Sequence, residues 1–314
     1  MQTRDDLLIC SACGTQFDVP ASTPLKACRI CDVSNTPHIT PKHLKTKTPS
    51  HQDPRQFVPP TGQAWTSLAQ MRRSKHHRNT FHQDPVEARM WSITTTPKFA
   101  IGQRCILLQT PAGNILWDCI AYLDQETYEF IRSRGGLKAI VISHPHYYTT
   151  HLDWARTFAC PVLLAEEDAG WVSRRDFEGR RKLLGGVEEE VLEGVKAVKV
   201  GGHFPGSLVL WWDRKLFIAD SLVTVPSALY HVDRPPGTTS FAFMWSIPNM
   251  IPLPPKELYK MWQALKPLDF ASTHGAFVGT EVRDERVKER VLESMKIQAK
   301  GEGWEDVDIL RETL

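Results

Sequence analysis

No apolar run in this 314-residue sequence reaches the roughly 20 residues needed to span a bilayer. A secretory leader is not expected either, because Met1-Gln2-Thr3-Arg4-Asp5-Asp6 carries two acids where such a leader is basic. Net charge is nearly absent: 38 Lys and Arg against 36 Asp and Glu leave +2, so no global field draws the chain to nucleic acid or to a membrane surface. A disulfide framework is excluded as well, since the seven cysteines are odd in number and four of them form two close pairs. These absences point to a soluble, cytoplasmic protein with neither membrane nor nucleic acid as its partner. At 41% apolar residues the chain can build one large domain with an accessory, or two domains.

What is present begins with the cysteines. Cys10-Ser11-Ala12-Cys13-Gly14 and Cys28-Arg29-Ile30-Cys31 are two C-x2-C turns separated by 14 residues. Each turn converges two thiolates, and two turns complete a tetrahedral four-sulfur site, the closed environment of a structural zinc. Iron accepts the same four ligands, so the metal stays open. A segment this short cannot build an adequate apolar core without such a staple. The segment resembles a zinc ribbon or the knuckle of rubredoxin, and we assign it residues 1–33. Residues 34–56 are polar, with Pro, Lys, Ser and His prominent, and read as a flexible linker. The basic run Arg72 to Arg78 reads as a solvated helix end.

After Pro85 short apolar runs alternate with helical patterns. Strands are expected at 90–95, 104–109, 115–119, 137–142, 161–164, 195–200, 207–212, 215–219 and 269–272, and helices at 124–134, 152–159, 256–265 and 281–300. Four of these strand ends carry metal-type residues. Leu137 to Ile142 delivers Ser143-His144-Pro145-His146-Tyr147-Tyr148-Thr149-Thr150-His151; Val198 to Gly202 delivers His203; Leu216 to Ala219 delivers Asp220; Phe270 to Thr273 delivers His274. Two histidines one residue apart at a strand end can turn both imidazoles to one point, and imidazole is the commonest side-chain metal ligand.

In the order His-x-His, Gly-His-x-x-Gly, Ala-Asp-Ser and Thr-His-Gly, these motifs resemble the metallo-β-lactamase fold superfamily over roughly the last 220 residues, a full domain's length. The resemblance implies an α/β fold, an αββα sandwich over 57–314, preceded by the four-cysteine ribbon. Carried over by position, His144, His146 and His203 correspond to the three-histidine site, Asp220 to the carboxylate bridging two metals, and His274 to a ligand of the second metal. The family loop usually reads His-x-His-x-Asp-His. Here Tyr148 stands at the Asp position and Thr149 at the third His, so the second metal has lost two ligands unless His151 replaces them. One or two zinc ions are therefore expected in the histidine site.

The implied activity is that of a metal-dependent hydrolase, in which zinc-activated hydroxide attacks a small ester, thioester, lactone or amide. Asp220 would orient or deprotonate the water, and Tyr148 would donate to the developing oxyanion. Tyr147, Trp211, Trp212, Phe241, Phe243, Met244 and Trp245 suit either the pocket of an apolar or aromatic small-molecule substrate or plain core, with core favoured for Trp211 and Trp212 because strand positions alternate faces, and 226–255 is expected to be a loop over the site. Two other readings are a rubredoxin-linked redox protein of flavodiiron type and an RNA-binding or nuclease module. The first lacks a visible flavin domain, and the second has only the short basic run.

Overall fold

The computed structural model describes residues 4–31, 57, 59–230 and 234–314. The expected linker 34–56 lies outside the described residues. The chain divides into two compact units, Met1–Leu183 and Leu184–Leu314. The division falls inside the stretch expected as one domain, and the cysteine segment belongs to the first unit. Both units are mixed α/β. Among the described residues no helix is long and apolar enough to cross a membrane.

In the first unit, a three-stranded sheet sets Gln16–Pro20 beside Leu7–Cys10 and Trp65–Thr66 beyond it. A larger sheet of seven strands runs in the order Arg181–Leu184, Val162–Ala165, Ala139–Val141, Gly113–Trp117, Cys105–Thr110, Met90–Thr96 and Arg78–Gln83. The last four pair antiparallel, whereas Gly113–Trp117, Ala139–Val141 and Val162–Ala165 pair parallel. Parallel neighbours need crossovers, which helices Gln125–Ser133 and His151–Phe158 supply. The Asp124 side chain caps the first by accepting from Thr127 N–H at 2.8 Å, and the left-handed Gly135 and Gly136 end it. Ala139, Ile140 and Val141 are all buried, as a strand flanked on both edges requires.

The second unit is a six-stranded sheet in the order Glu188–Leu192, Val195–Lys199, Leu208–Trp212, Lys215–Phe217, Ser272–His274 and Val282–Arg283. Helix Pro255–Leu265 buries Leu258, Met261, Trp262 and Leu265, one stripe at helical spacing. Helix Val287–Gly301 buries Val287, Val291 and Met295 into the same core.

Several element bounds differ from expectation for reasons of tertiary pairing. The helix expected over 281–300 starts only at Val287, because Val282 is fully buried in a ladder opposite Thr273. The strand expected at 269–272 runs Ser272–His274, so His274 lies on the strand. The loop expected at 226–255 contains a 3-10 turn at Pro226–Leu229, a strand at Phe241–Ala242 and a hairpin of Met244–Ser246 with Ile251–Pro252. Phe241 and Phe243 are core residues, and Tyr147, Trp212 and Met244 are buried too; of the aromatics expected to line a substrate pocket, Trp245 is the exposed one, at 37%.

Candidate metal centre

The four cysteines Cys10, Cys13, Cys28 and Cys31 are buried and present sulfurs within 4.8 Å of one another. Cys10 Sγ lies 3.5 Å from Cys31 Sγ, and Cys13 Sγ 3.6 Å from Cys28 Sγ. Sulfurs held tetrahedrally at the usual zinc bond length stand about 3.8 Å apart, so the spacing fits an ion and is far too long for a disulfide. Ala12 N–H and Gln63 Nε2 donate to Cys10 Sγ at 3.4 and 3.1 Å, the donors a thiolate needs. Hydrogen bonds from Cys13, Cys28 and Cys31 hold Cys10 far below the ordinary thiol range, while burial pushes Cys13 and Cys28 up. A dication would replace those protons.

In the first unit, the strand Ala139–Val141 leads into Ser143, whose N–H donates to Asp118 Oδ1 at 2.7 Å. Ser143 Oγ lies 2.8 Å from His144 Nδ1, which turns Nε2 into the nitrogen that can face an ion. Pro145 then opens a one-turn 3-10 helix, Pro145–Tyr147, that lifts His146 from an extended His144. The two imidazoles are 5.3 Å apart and nearly perpendicular.

In the second unit, Gly201 and Gly202 take left-handed backbone before His203. A Cβ on Gly202 would meet Leu253 Cδ1 at 2.7 Å, so glycine is required for this turn. His203 N–H donates to Ser221 Oγ at 3.0 Å, and Ser221 Oγ in turn donates to Gly201 O. The His203 Nδ1–H donates to the backbone oxygen of Trp245 at 2.7 Å, which leaves Nε2 at 3.8 Å from Asp220 Oδ2. That gap is too long for a hydrogen bond and near the roughly 3.3 Å expected of two ligands on one tetrahedral zinc.

His144 and His146 are buried in the first unit, and His203 and Asp220 are buried in the second. His274 Nε2 lies 3.0 Å from Ser272 Oγ, and its ring stacks on Phe217 at 5.1 Å. The Tyr148 hydroxyl is buried and points to the Asp168 backbone oxygen at 3.5 Å. Sequence reasoning passed over the groups that orient the ligands. Ser143 and Ser221 adjoin His144 and Asp220 in the chain, and Asp118 closes an apolar strand as Asp220 does; the Trp245 carbonyl leaves no sequence signal.

His151 is buried in the first unit, with Nδ1 donating to Tyr148 O at 2.7 Å and Nε2 without a hydrogen-bond partner among the described residues. Burial first, then the nearby Arg181, pushes its pKa from 6.5 down to about 3. The folded state thus keeps it neutral where the unfolded chain binds a proton. Its contribution is complete above about pH 6.5 and is lost as pH falls toward about 3. Urea unfolding at stepped pH should show wild-type stability dropping by about 3 kcal/mol more than that of His151→Asn between neutral pH and about pH 4. Equal slopes would remove His151 as the source.

No protein-family model matches the chain. Among solved structures, it is similar to the metallo-β-lactamase FIM-1 from Pseudomonas aeruginosa in its mono-zinc form, with 13% identity over 70% of this chain and 96% of that one and a TM-score of 0.47. A metallo-β-lactamase from Hirschia baltica gives 15% identity, 70% and 97% coverage and 0.46. A flavoprotein from Thermotoga maritima gives 10%, 70% and 61%, and 0.45. By sequence, an uncharacterized protein of Bacillus subtilis (strain 168), YmaE, is 34% identical over 290 residues, covering 92% of this chain and 95% of that protein. With that identity sustained over nearly the whole of both, the chain belongs to the family of YmaE.

Proposed function

We propose that this chain is a metal-dependent hydrolase of a small ester, thioester, lactone or amide, acting in a reducing compartment such as the cytoplasm. The observation that carries the reading is the burial of His144 and His146 after a strand of the first unit and of His203 and Asp220 after strands of the second, with the His144 and His203 imidazoles oriented by hydrogen bonds on Nδ1. It also rests on the motif order that resembles the metallo-β-lactamase superfamily. All seven cysteines are free thiols, which supports the compartment.

His144, His146 and His203 would hold the ion, with Asp220 as the fourth ligand or the neighbouring base. A bound zinc supplies Lewis-acid activation of water, lowering its pKa from about 16 toward about 7. Asp220 then accepts the proton released on attack and returns it to the leaving group. His203 keeps its orientation because Trp245 O holds Nδ1–H, and Ser143 does the same for His144. Tyr148 enters as packing, since its hydroxyl is directed at Asp168 O. His151 and His274 remain candidates for a second ion, so one or two ions are proposed there.

Elemental analysis of purified protein tests the reading. The expected result is two or three metal atoms per chain, with at least one lost in His144→Ala, and hydrolysis of a chromogenic ester, thioester or lactone by the wild type alone. One atom per chain in both proteins would leave only the cysteines occupied and reject the enzyme. The same measurement separates the flavodiiron reading, which requires iron and a red protein.

A further inference from the structure

Taking His144 and His146 as ligands, as the proposed function does, we infer that the four-cysteine unit is a positioning element for the loop that carries them, so that metal held by the cysteines raises metal affinity at the histidines. The contacts all lie within the first unit. Gly14, directly after the first cysteine pair, is left-handed and packs so closely that a Cβ would stand 2.9 Å from Ala121 Cβ and 3.4 Å from Thr149 Cγ2. Gln16 N–H donates to Thr149 O at 3.2 Å. Thr149 has φ +35°, a left-handed backbone that a β-branched residue adopts only when its surroundings impose it. The residue three past His146 is therefore strained, and the cysteine unit packs against it through Gly14 and Gln16.

A second grip lies one turn further on. Gln16 Nε2 donates to Asp153 Oδ2 at 2.8 Å, and Arg174 Nη1 donates both to Gln16 Oε1 and to Asp153 Oδ1, the latter at 3.1 Å. All three side chains are buried. Asp153 sits in the first turn of helix His151–Phe158, which follows the Pro145–Tyr147 turn almost without a break. On the opposite side, Thr150 Oγ1 donates to Ala121 O at 2.9 Å and Trp154 Nε1 to Ile120 O at 3.0 Å. The second cysteine pair joins in through Arg29, whose guanidinium donates to Gly170 O and Val172 O, while Trp171 packs on the cysteine core.

The ribbon's core is made largely of the cysteines themselves with Leu8, Ala12, Phe17 and Ile30. A unit of that size holds its shape through its metal. Loss of that ion loosens Gly14 and Gln16, and with them the backbone after His146. Because the two sites are coupled through a shared element, the dependence is reciprocal.

The test uses zinc alone, titrated into the full chain against a competing chelator. Gln16→Met removes both side-chain hydrogen bonds and leaves every cysteine in place. It should keep its tightly held cysteine-site zinc and its near-ultraviolet dichroism, yet bind the histidine-site zinc about 10-fold more weakly or worse. Cys13→Ser should lose both zincs; where it fails to fold, Gln16→Met decides. Unchanged histidine-site affinity in folded Gln16→Met or Cys13→Ser overturns the inference. His144→Ala keeps the two failures apart: if it binds as much zinc as wild type, the histidine site itself is wrong, whereas loss of one zinc there with none weakened in Gln16→Met sinks only the coupling.

Discussion

Asp220→Asn protein is expected to hydrolyse its substrate some 10²- to 10⁴-fold more slowly than wild type, the range set by loss of a positioned general base. The substitution keeps the shape of a buried side chain and removes its carboxylate. An amide oxygen still ligates a hard ion but no longer takes a proton. Turnover measured with excess zinc therefore separates the two roles: slow turnover with the histidine-site zinc retained marks the base, and recovery with added metal marks a ligand only. Wild-type turnover at low zinc would remove Asp220 from the chemistry. His203 Nε2 stands opposite it at 3.8 Å, so His203→Ala serves as the control that empties the site.

The second large effect is on stability. Cys28→Ser should lose the cysteine-site zinc, and with it the histidine-site zinc as in Cys13→Ser, and unfold the segment from Leu7 to Cys31. Cys28 is completely buried with its sulfur 3.6 Å from that of Cys13, and a neutral hydroxyl there leaves three thiols with no adequate partner. Zinc binding at such sites is of the order of 10 kcal/mol of folding free energy, so a loss of several is expected. Hydrogen exchange of the Leu7–Cys10 and Gln16–Pro20 strands reads it locally, and thermal unfolding reads it globally. An unchanged zinc count with protected amides would show that the four sulfurs are not a metal site.

Much of the site was legible because its chemistry sits where secondary structure stops. Apolar runs leading to His144 and Asp220, and C-x2-C spacing at both ends of the ribbon, are local signals. The strands Leu7–Cys10 and Gln16–Pro20 were not, since their ladder depends on pairing across a metal turn. Val282–Arg283 read as helix because Glu281 to Lys300 has helical composition, and only the neighbouring Ser272–Thr273 backbone makes it a strand. For the aromatics the sequence leaves pocket and core both open, because composition does not tell a wall from a core, and Phe241 and Phe243 went to the core. Asp153, Arg174 and Gln16 meet from three distant places in the chain, a convergence that periodicity does not encode.

His203 is held by the main-chain oxygen of Trp245, not by the indole, which stands half in solvent. Every amino acid offers that carbonyl. Natural variation at position 245 is thus free to rewrite what the exposed hairpin presents to the outside while the His203 imidazole stays aimed.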